Sequence, residues 1–353
     1  MQSVRESITR RSALARIGTG ALVAGAGLAH PARLLAAPAY DPRAYISPEL
    51  RPYLDRFPAR EVGHVYDVAW VRQMRGAPVP AGTPLPQGAW RAVEVPVPGG
   101  RPPVTIYVVN EQKGRNRGGI VHMHGGGYLF GQARNGLAGI AQMARDLDCT
   151  IVSVEYRLAP ETTYLGSRED TYAGLKWLHT HAAEVGVDPA KIAVLGDSAG
   201  GGHAALLAIT ARDRGEVPVA FQCLVYPMLD DRTGSTVQRP RHMGEYVWTP
   251  EQNVFGWRSQ LGRTPGQAGK TDGVPGRVAS VAGLPPAWIG VGGTDLFMEE
   301  DVDYGERLLN AGIAAEIMVL PGAFHAFDLI APETQAAKAF TGSKMAALRR
   351  AIG

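Results

Sequence analysis

From Arg91 onward the apolar residues fall into short runs separated by longer stretches with helical spacing. Arg91–Val97 and Val104–Val109 alternate at every second position around the turn Pro98-Gly99-Gly100, which predicts an antiparallel hairpin. Ile120–Met123, Thr150–Val154, Ile192–Leu195, Phe221–Tyr226, Ala287–Val291 and Ala315–Val319 read as further strands. Between and after them, helices are predicted near Leu137–Leu147, near Thr171–His181, over Gly202–Arg212 and Glu299–Ala311, and from about Glu333 to the C-terminus. Strand alternating with helix implies an α/β fold, a mostly parallel sheet covered on both faces, with ligands held at the carboxyl ends of the strands.

Two regions depart from this rhythm. Residues 231–275 are polar and rich in Gly and Pro around Trp248, Phe255 and Trp257 at helical spacing, as in a small helical cap inserted into the main domain. Before the first strand, Ser47-Pro48-Glu49 opens one expected helix and Asp67–Arg75 suggests another. Gly76–Gly88 then reads as a Pro- and Gly-rich linker. The implied division is 1–39, 40–88 as cap segment and linker, and 89–353 as the main domain. Either Leu50, Tyr53 and Leu54 join the three aromatic residues in roofing the site, or the aromatics simply pack the cap's own core.

Residues 1–39 explain the chain's charge. The net +3 rests on five arginines and one acid in that stretch; the rest carries 31 basic and 32 acidic side chains. The body therefore gives no electrostatic case for nucleic acid or membrane binding, and a small neutral substrate suits it better. Thr9-Arg10-Arg11-Ser12, the weakly apolar Ile17–Leu28 and Ala37-Pro38-Ala39 read as a twin-arginine-like export signal cleaved near Ala39. A partnership with the export machinery and a periplasmic location follow as expectations. Arg16, His30 and Arg33 bracket too short a run for an uncleaved span, which needs about 20 apolar residues.

Cys149 and Cys223 sit in apolar settings and are expected to be buried free thiols. The pairs His122/His124 and His179/His181 lack a completing Cys, Asp or Glu, so no metal site is expected.

Gly196-Asp197-Ser198-Ala199-Gly200 follows a predicted strand and precedes a helix, the context of a nucleophile elbow. Gly196 and Gly200 leave room where a Cβ would meet backbone, and the turn lifts the Ser198 hydroxyl above the sheet at a helix N-terminus. A phosphate-binding loop would need Gly-x-Gly-x-x-Gly or a Gly-Lys-Ser/Thr ending, and neither is present. His124-Gly125-Gly126-Gly127-Tyr128 closes an earlier strand. Successive glycines let backbone N–H groups approach an oxyanion, so Gly126 and Gly127 are candidate donors beside Ala199. His124 is expected to brace that loop.

These segments, together with Tyr156-Arg157-Leu158-Ala159-Pro160-Glu161, resemble those of the bacterial hormone-sensitive-lipase-like carboxylesterases. Gly283-Leu284-Pro285-Pro286, Asp295 and the helix end Ala311-Gly312 extend the resemblance over roughly residues 90–330. It implies an α/β-hydrolase that cleaves short-chain or aryl esters without a cofactor, under a cap built partly from the N-terminal segment. Gly202 stands where that family often has Asn, and Leu165-Gly166 where a proline-containing turn is common.

In this fold the base follows the nucleophile and the acid in chain order, and His325, after the last predicted strand, is the only histidine beyond His242. His203 lies near Ser198 in sequence but on the helix after the elbow, facing away. Asp295 follows Gly292-Gly293-Thr294 at the carboxyl edge of the sheet and is the expected acid, holding the His325 tautomer that accepts the Ser198 proton. Asp230, Asp301, Asp303 and Asp328 compete; Asp301 and Asp303 read as a solvated helix face, and Asp328 is too near His325 in sequence. The expected chemistry is ester hydrolysis through an acyl-enzyme. An amidase or deacetylase with the same triad is the nearer alternative. A non-catalytic ligand-binding member of the fold is the farther one, and the presence of His325 argues against it.

Overall fold

The computed structural model describes residues 40–57, 60–76 and 90–353. The expected export signal and most of the expected linker lie outside them. Asp41–Gly353 forms one compact unit around an eight-stranded sheet of order β1-β2-β4-β3-β5-β6-β7-β8. The strands are β1 (Trp90–Val97), β2 (Arg101–Val109), β3 (Arg117–Met123), β4 (Thr150–Val154), β5 (Val187–Asp197), β6 (Phe221–Val225), β7 (Ala287–Gly292) and β8 (Ala315–Leu320). The β1–β2 and β2–β4 pairs are antiparallel and the remaining five are parallel.

The central parallel strands β3, β4, β6 and β7 are buried along their whole length and mostly apolar because both their faces are covered. Val121, Met123, Val152, Val154, Ile192 and Val194 point into one layer, with Leu175, Leu178, Ala204 and Leu308 of the covering helices. Their neighbours Ile120, Ile151, Ala193 and Leu195 point into the other, with Leu137, Ile140, Ala347 and Leu348. Each such aliphatic contributes about 1.5–3 kcal/mol by leaving water, so strand periodicity divides the hydrophobic effect between two cores.

The helices are α1 (Val68–Gly76), α2 (Leu137–Asp146), α3 (Tyr164–Thr180), α4 (Ala182–Val185), α5 (Ala199–Arg214), α6 (Pro250–Leu261), α7 (Met298–Asn310), α8 (Phe327–Ile330) and α9 (Gln335–Ile352). Among the described residues none is long and apolar enough to cross a membrane. Helix α3 begins seven residues before the sequence-based expectation. Its first turns bury Ser167, Glu169 and Asp170, so polarity hides the helical stripe. Asp170 is fully buried and accepts three hydrogen bonds from Arg157, two from the guanidinium at 2.6 and 2.8 Å and one from the backbone N–H at 3.0 Å. The expected helix at Ser47 is a short 3-10 turn over Arg51–Arg56, and the Ser47 N–H donates to the Gly322 carbonyl instead of opening an α-helix.

The expected roof is corrected in two respects. Leu50 and Leu54 belong to the core beside Phe324 and Phe327, and Tyr53 packs against that same core. The N-terminal residues grouped with Phe255 and Trp257 are Tyr66, Trp70 and Val71. Trp248 precedes α6 instead of lying on it, because Thr249 caps the helix in a reciprocal capping box with Gln252. Cys149 and Cys223 are buried and free; burial pushes the Cys149 thiol up to about 12.

Candidate active site

Ser198 joins β5 to α5 with φ 57° and ψ −120°, outside the regions an L-residue prefers. The surroundings enforce it. A Cβ on Gly196 would stand 2.1 Å from the Gly200 carbonyl oxygen, and one on Gly200 2.1 Å from that of Met123. The Ser198 N–H donates to Val225, and the Ser198 carbonyl accepts from Gly202 and Met228. The hydroxyl is thereby presented at the carboxyl ends of the parallel strands, above the N-terminus of α5.

His325 lies in the turn after β8, its Nε2 2.9 Å from Ser198 Oγ and its Nδ1 2.7 Å from Asp295 Oδ2. Ser198, His325 and Asp295 are 8%, 4% and 1% exposed. The loops carrying base and acid are stitched together: the Thr294 hydroxyl and N–H both donate to the Ala323 carbonyl, at 2.8 and 3.0 Å. The second Asp295 oxygen accepts from the Phe297 N–H at 3.0 Å. The imidazole is clamped edge-to-face by Tyr226 and Phe297, at centroid distances of 4.8 and 5.3 Å.

The glycine loop folds back beside the elbow. Gly126 and Gly127 have φ 130° and 59°, and a Cβ on Gly126 would lie 2.2 Å from the Phe130 carbonyl oxygen. The N–H groups of Gly126, Gly127 and Ala199 meet no acceptor among the described residues. His124 braces the loop, its Nδ1–H donating to the Gly125 carbonyl at 2.8 Å while its ring stacks on Tyr156 at 4.3 Å. Burial lowers its pKa to about 4, and that of His203, enclosed by Tyr128 and Tyr156, to about 3. Both are neutral at pH 7. His122 contacts Ser153 and Asp197, and among the described residues no group of three His, Cys, Asp or Glu is arranged to hold a metal.

The competing acids have other partners. Asp230 accepts from the Arg232 backbone and guanidinium, and Asp328 accepts from the Tyr226 hydroxyl at 3.0 Å. The expected solvated pair is half wrong: Asp303 is exposed, but Asp301 is fully buried with both oxygens unpartnered, and burial raises its pKa well above the usual carboxylate range. Sequence reasoning missed Glu300. Buried beside Asp301, it accepts from the N–H groups of Leu229 and Asp230 at 2.7 and 3.1 Å and from the Thr233 hydroxyl. Burial and then Asp230 raise its pKa to about 8 despite those donors. It pins the segment after β6 that reaches Ser198 through Met228. A glutamate five positions after the candidate acid was its only sequence signal.

A family model described as alpha/beta hydrolase fold matches residues 120–329, which span the elbow, Asp295 and His325. The chain belongs to the α/β-hydrolase family. It is 35% identical to esterase LipI of Mycobacterium tuberculosis over 239 residues, covering 65% of this chain and 72% of that protein. Carboxylesterase NlhH of the same species is 33% identical over 243 residues, 66% of this chain and 73% of its own. Among solved structures a bacterial heroin esterase superposes with a TM-score of 0.74 at 32% identity, covering 87% of this chain and 98% of its own. Within the family the chain groups with the hormone-sensitive-lipase-like carboxylesterases, as its motifs led one to expect.

Proposed function

We propose that this protein hydrolyses short-chain or aryl carboxylic esters through an acyl-enzyme on Ser198. One observation carries the reading: the unbroken hydrogen-bond chain from Ser198 Oγ through His325 to Asp295, set beside a glycine loop with unclaimed N–H groups. His325 Nε2 takes the hydroxyl proton as Oγ bonds to the ester carbonyl carbon, while Asp295 holds the Nδ1–H and stabilises the imidazolium. The N–H groups of Gly126, Gly127 and Ala199 receive the developing oxyanion, supported by the N-terminus of α5. His325 returns the proton to the leaving alcohol as its C–O bond breaks. Water then attacks the acyl carbon with His325 as base, and the bond to Ser198 Oγ breaks as that proton passes to Oγ, releasing the carboxylic acid.

Residues 1–39 are an export signal in this reading, so the mature enzyme acts in the periplasm. The motif at Arg10-Arg11 and the small residues up to Ala39 support it.

A fluorophosphonate probe and 4-nitrophenyl butyrate test the chemistry together. Wild type should be labelled at Ser198 and turn the ester over, and Ser198→Ala should lose both, with turnover reduced up to about 10⁶-fold. Ser198→Ala activity within tenfold of wild type would end the reading.

A further inference from the structure

Gly244–Trp248, the last part of the segment between β6 and α6, runs from the acid loop to the oxyanion loop. At one end the Gly244 N–H donates to the Thr294 carbonyl of the acid loop at 3.1 Å, and Gly244 packs on Leu296. At the other end the Trp248 indole lies against the oxyanion loop, so close that a Cβ on Gly127 would stand 2.0 Å from its Cη2.

Two independent features fix that indole. Val247 has φ 69° and is the centre of a γ-turn closed by the Trp248 N–H on the Tyr246 carbonyl at 2.8 Å. A β-branched residue rarely tolerates that backbone, and a γ-turn of this hand is strained; such strain persists only where the surroundings over-determine it. The indole Nε1–H also donates to Asn253 Oδ1 at 3.1 Å, and the Asn253 amide donates to the Thr233 carbonyl at 2.8 Å. The Thr233 hydroxyl in turn bonds Glu300. Trp248 is therefore tied through two buried polar groups to the helix that follows Asp295, and it is only 8% exposed.

We propose that Trp248 is the specificity-determining residue of this enzyme, its rigid indole setting how large a substrate group fits beside the oxyanion loop. A flexible side chain there would yield to a large group. An indole held by a strained turn and a hydrogen-bonded asparagine does not, so the limit is built into the resting fold. The inference rests on the ester-hydrolase reading and adds the wall that decides which esters enter.

The test compares kcat/KM across two series on the full-length protein: 4-nitrophenyl acetate, butyrate, octanoate and decanoate for the acyl side, and methyl, butyl and benzyl butyrate for the alcohol side. Trp248→Ala should raise the large-to-small ratio by about tenfold or more in one series, the order expected when pocket volume alone discriminates. Trp248→Phe, which keeps an aromatic wall but loses the outer ring and the N–H, should shift the same series in the same direction by less. Unchanged ratios in both series for the folded variants would overturn the proposal. If Trp248→Ala does not fold, Trp248→Phe decides alone. A Ser198→Ala control separates the two readings: residual turnover there defeats the Ser198 mechanism, whereas a dead control with unmoved ratios defeats only the role of Trp248.

Discussion

The hydroxyl of Tyr128 donates to the carbonyl of Met228 at 2.9 Å, tying the residue that closes the glycine loop to the residue whose N–H holds the Ser198 carbonyl. Oxyanion loop and nucleophile elbow are thus fixed against each other by one buried bond. Gly202, one turn into α5, lies directly beneath it. A Cβ there would stand 2.2 Å from the Tyr128 hydroxyl and 2.3 Å from the Met228 oxygen. This accounts for glycine where the family resemblance leads one to expect asparagine: with Tyr128 so placed, a side chain would meet both partners of that bond.

Gly202→Ala should therefore destabilise the fold by about 1–3 kcal/mol, the usual cost of overpacking a filled site. Esterase activity should fall as well, because the displaced bond registers the two loops. Tyr128→Phe leaves a buried carbonyl unpaired and should cost about 1–3 kcal/mol by itself. The double variant should be less destabilised than the sum, since removing the hydroxyl makes part of the room the methyl needs. Urea unfolding of the four proteins checks this, and strict additivity would show that the Gly202 methyl meets something other than that bond.

The parts of the site legible in the sequence are those where backbone geometry dictates residue type. Gly196, Gly200 and Gly126 are glycine because another residue's backbone occupies the place of the Cβ, and such positions betray a turn without any tertiary knowledge. His325 and Asp295 were legible through their order along the chain and their places after strands. Tyr226, Phe297 and Glu300 reach the site only through the packing of β6 against β7 and the start of α7, which no local pattern reports. Leu50 and Leu54 were misplaced because an apolar residue declares that it will be buried, not in which core. Asp301 misled for the opposite reason, its charge implying water where the structure gives none.

Acid should unfold the protein through its buried imidazoles. The folded-state pKa of His203 is about 3 against an ordinary 6.5, so below pH 6.5 the unfolded chain binds a proton that the folded one refuses. Stability is fully present above pH 6.5 and is lost as the pH falls toward 3. At pH 5 this one group costs about 2 kcal/mol. His203→Phe keeps a flat ring between Tyr128 and Tyr156 and has nothing to titrate. Its unfolding free energy should fall less steeply than that of wild type between pH 7 and pH 5, and parallel curves would place the acid sensitivity elsewhere, His124 being the next group to test.

Export should depend on the identity of the arginine pair and not on its charge. Arg10→Lys with Arg11→Lys preserves two positive charges but removes the planar guanidinium groups, and the pair should strand the enzyme in the cytoplasm. Cell fractionation followed by an esterase assay reads the outcome. Periplasmic activity equal to that of wild type would point to a different export route.

The assignment of Asp295 makes a sharper demand than that of Ser198, because several carboxylates compete for it. Asp295 Oδ2 lies 2.7 Å from His325 Nδ1, and an amide in its place could present an N–H there and favour the tautomer whose Nε2 is already protonated and cannot accept from Ser198. Asp295→Asn should cost about 10⁴-fold in kcat while leaving the fold intact. Asp230 is bound to Arg232 and has no hydrogen bond to His325, so Asp230→Asn should remove one partly buried ion pair and leave turnover within a small factor of wild type. The loss for Asp295→Asn should fall on kcat more than on KM, since the substrate is still bound but the proton has nowhere to go. If Asp230→Asn proved the crippling change and Asp295→Asn the mild one, the acid would have to be moved to the end of β6, and the bond between Asp295 and His325 would be left with only a structural role.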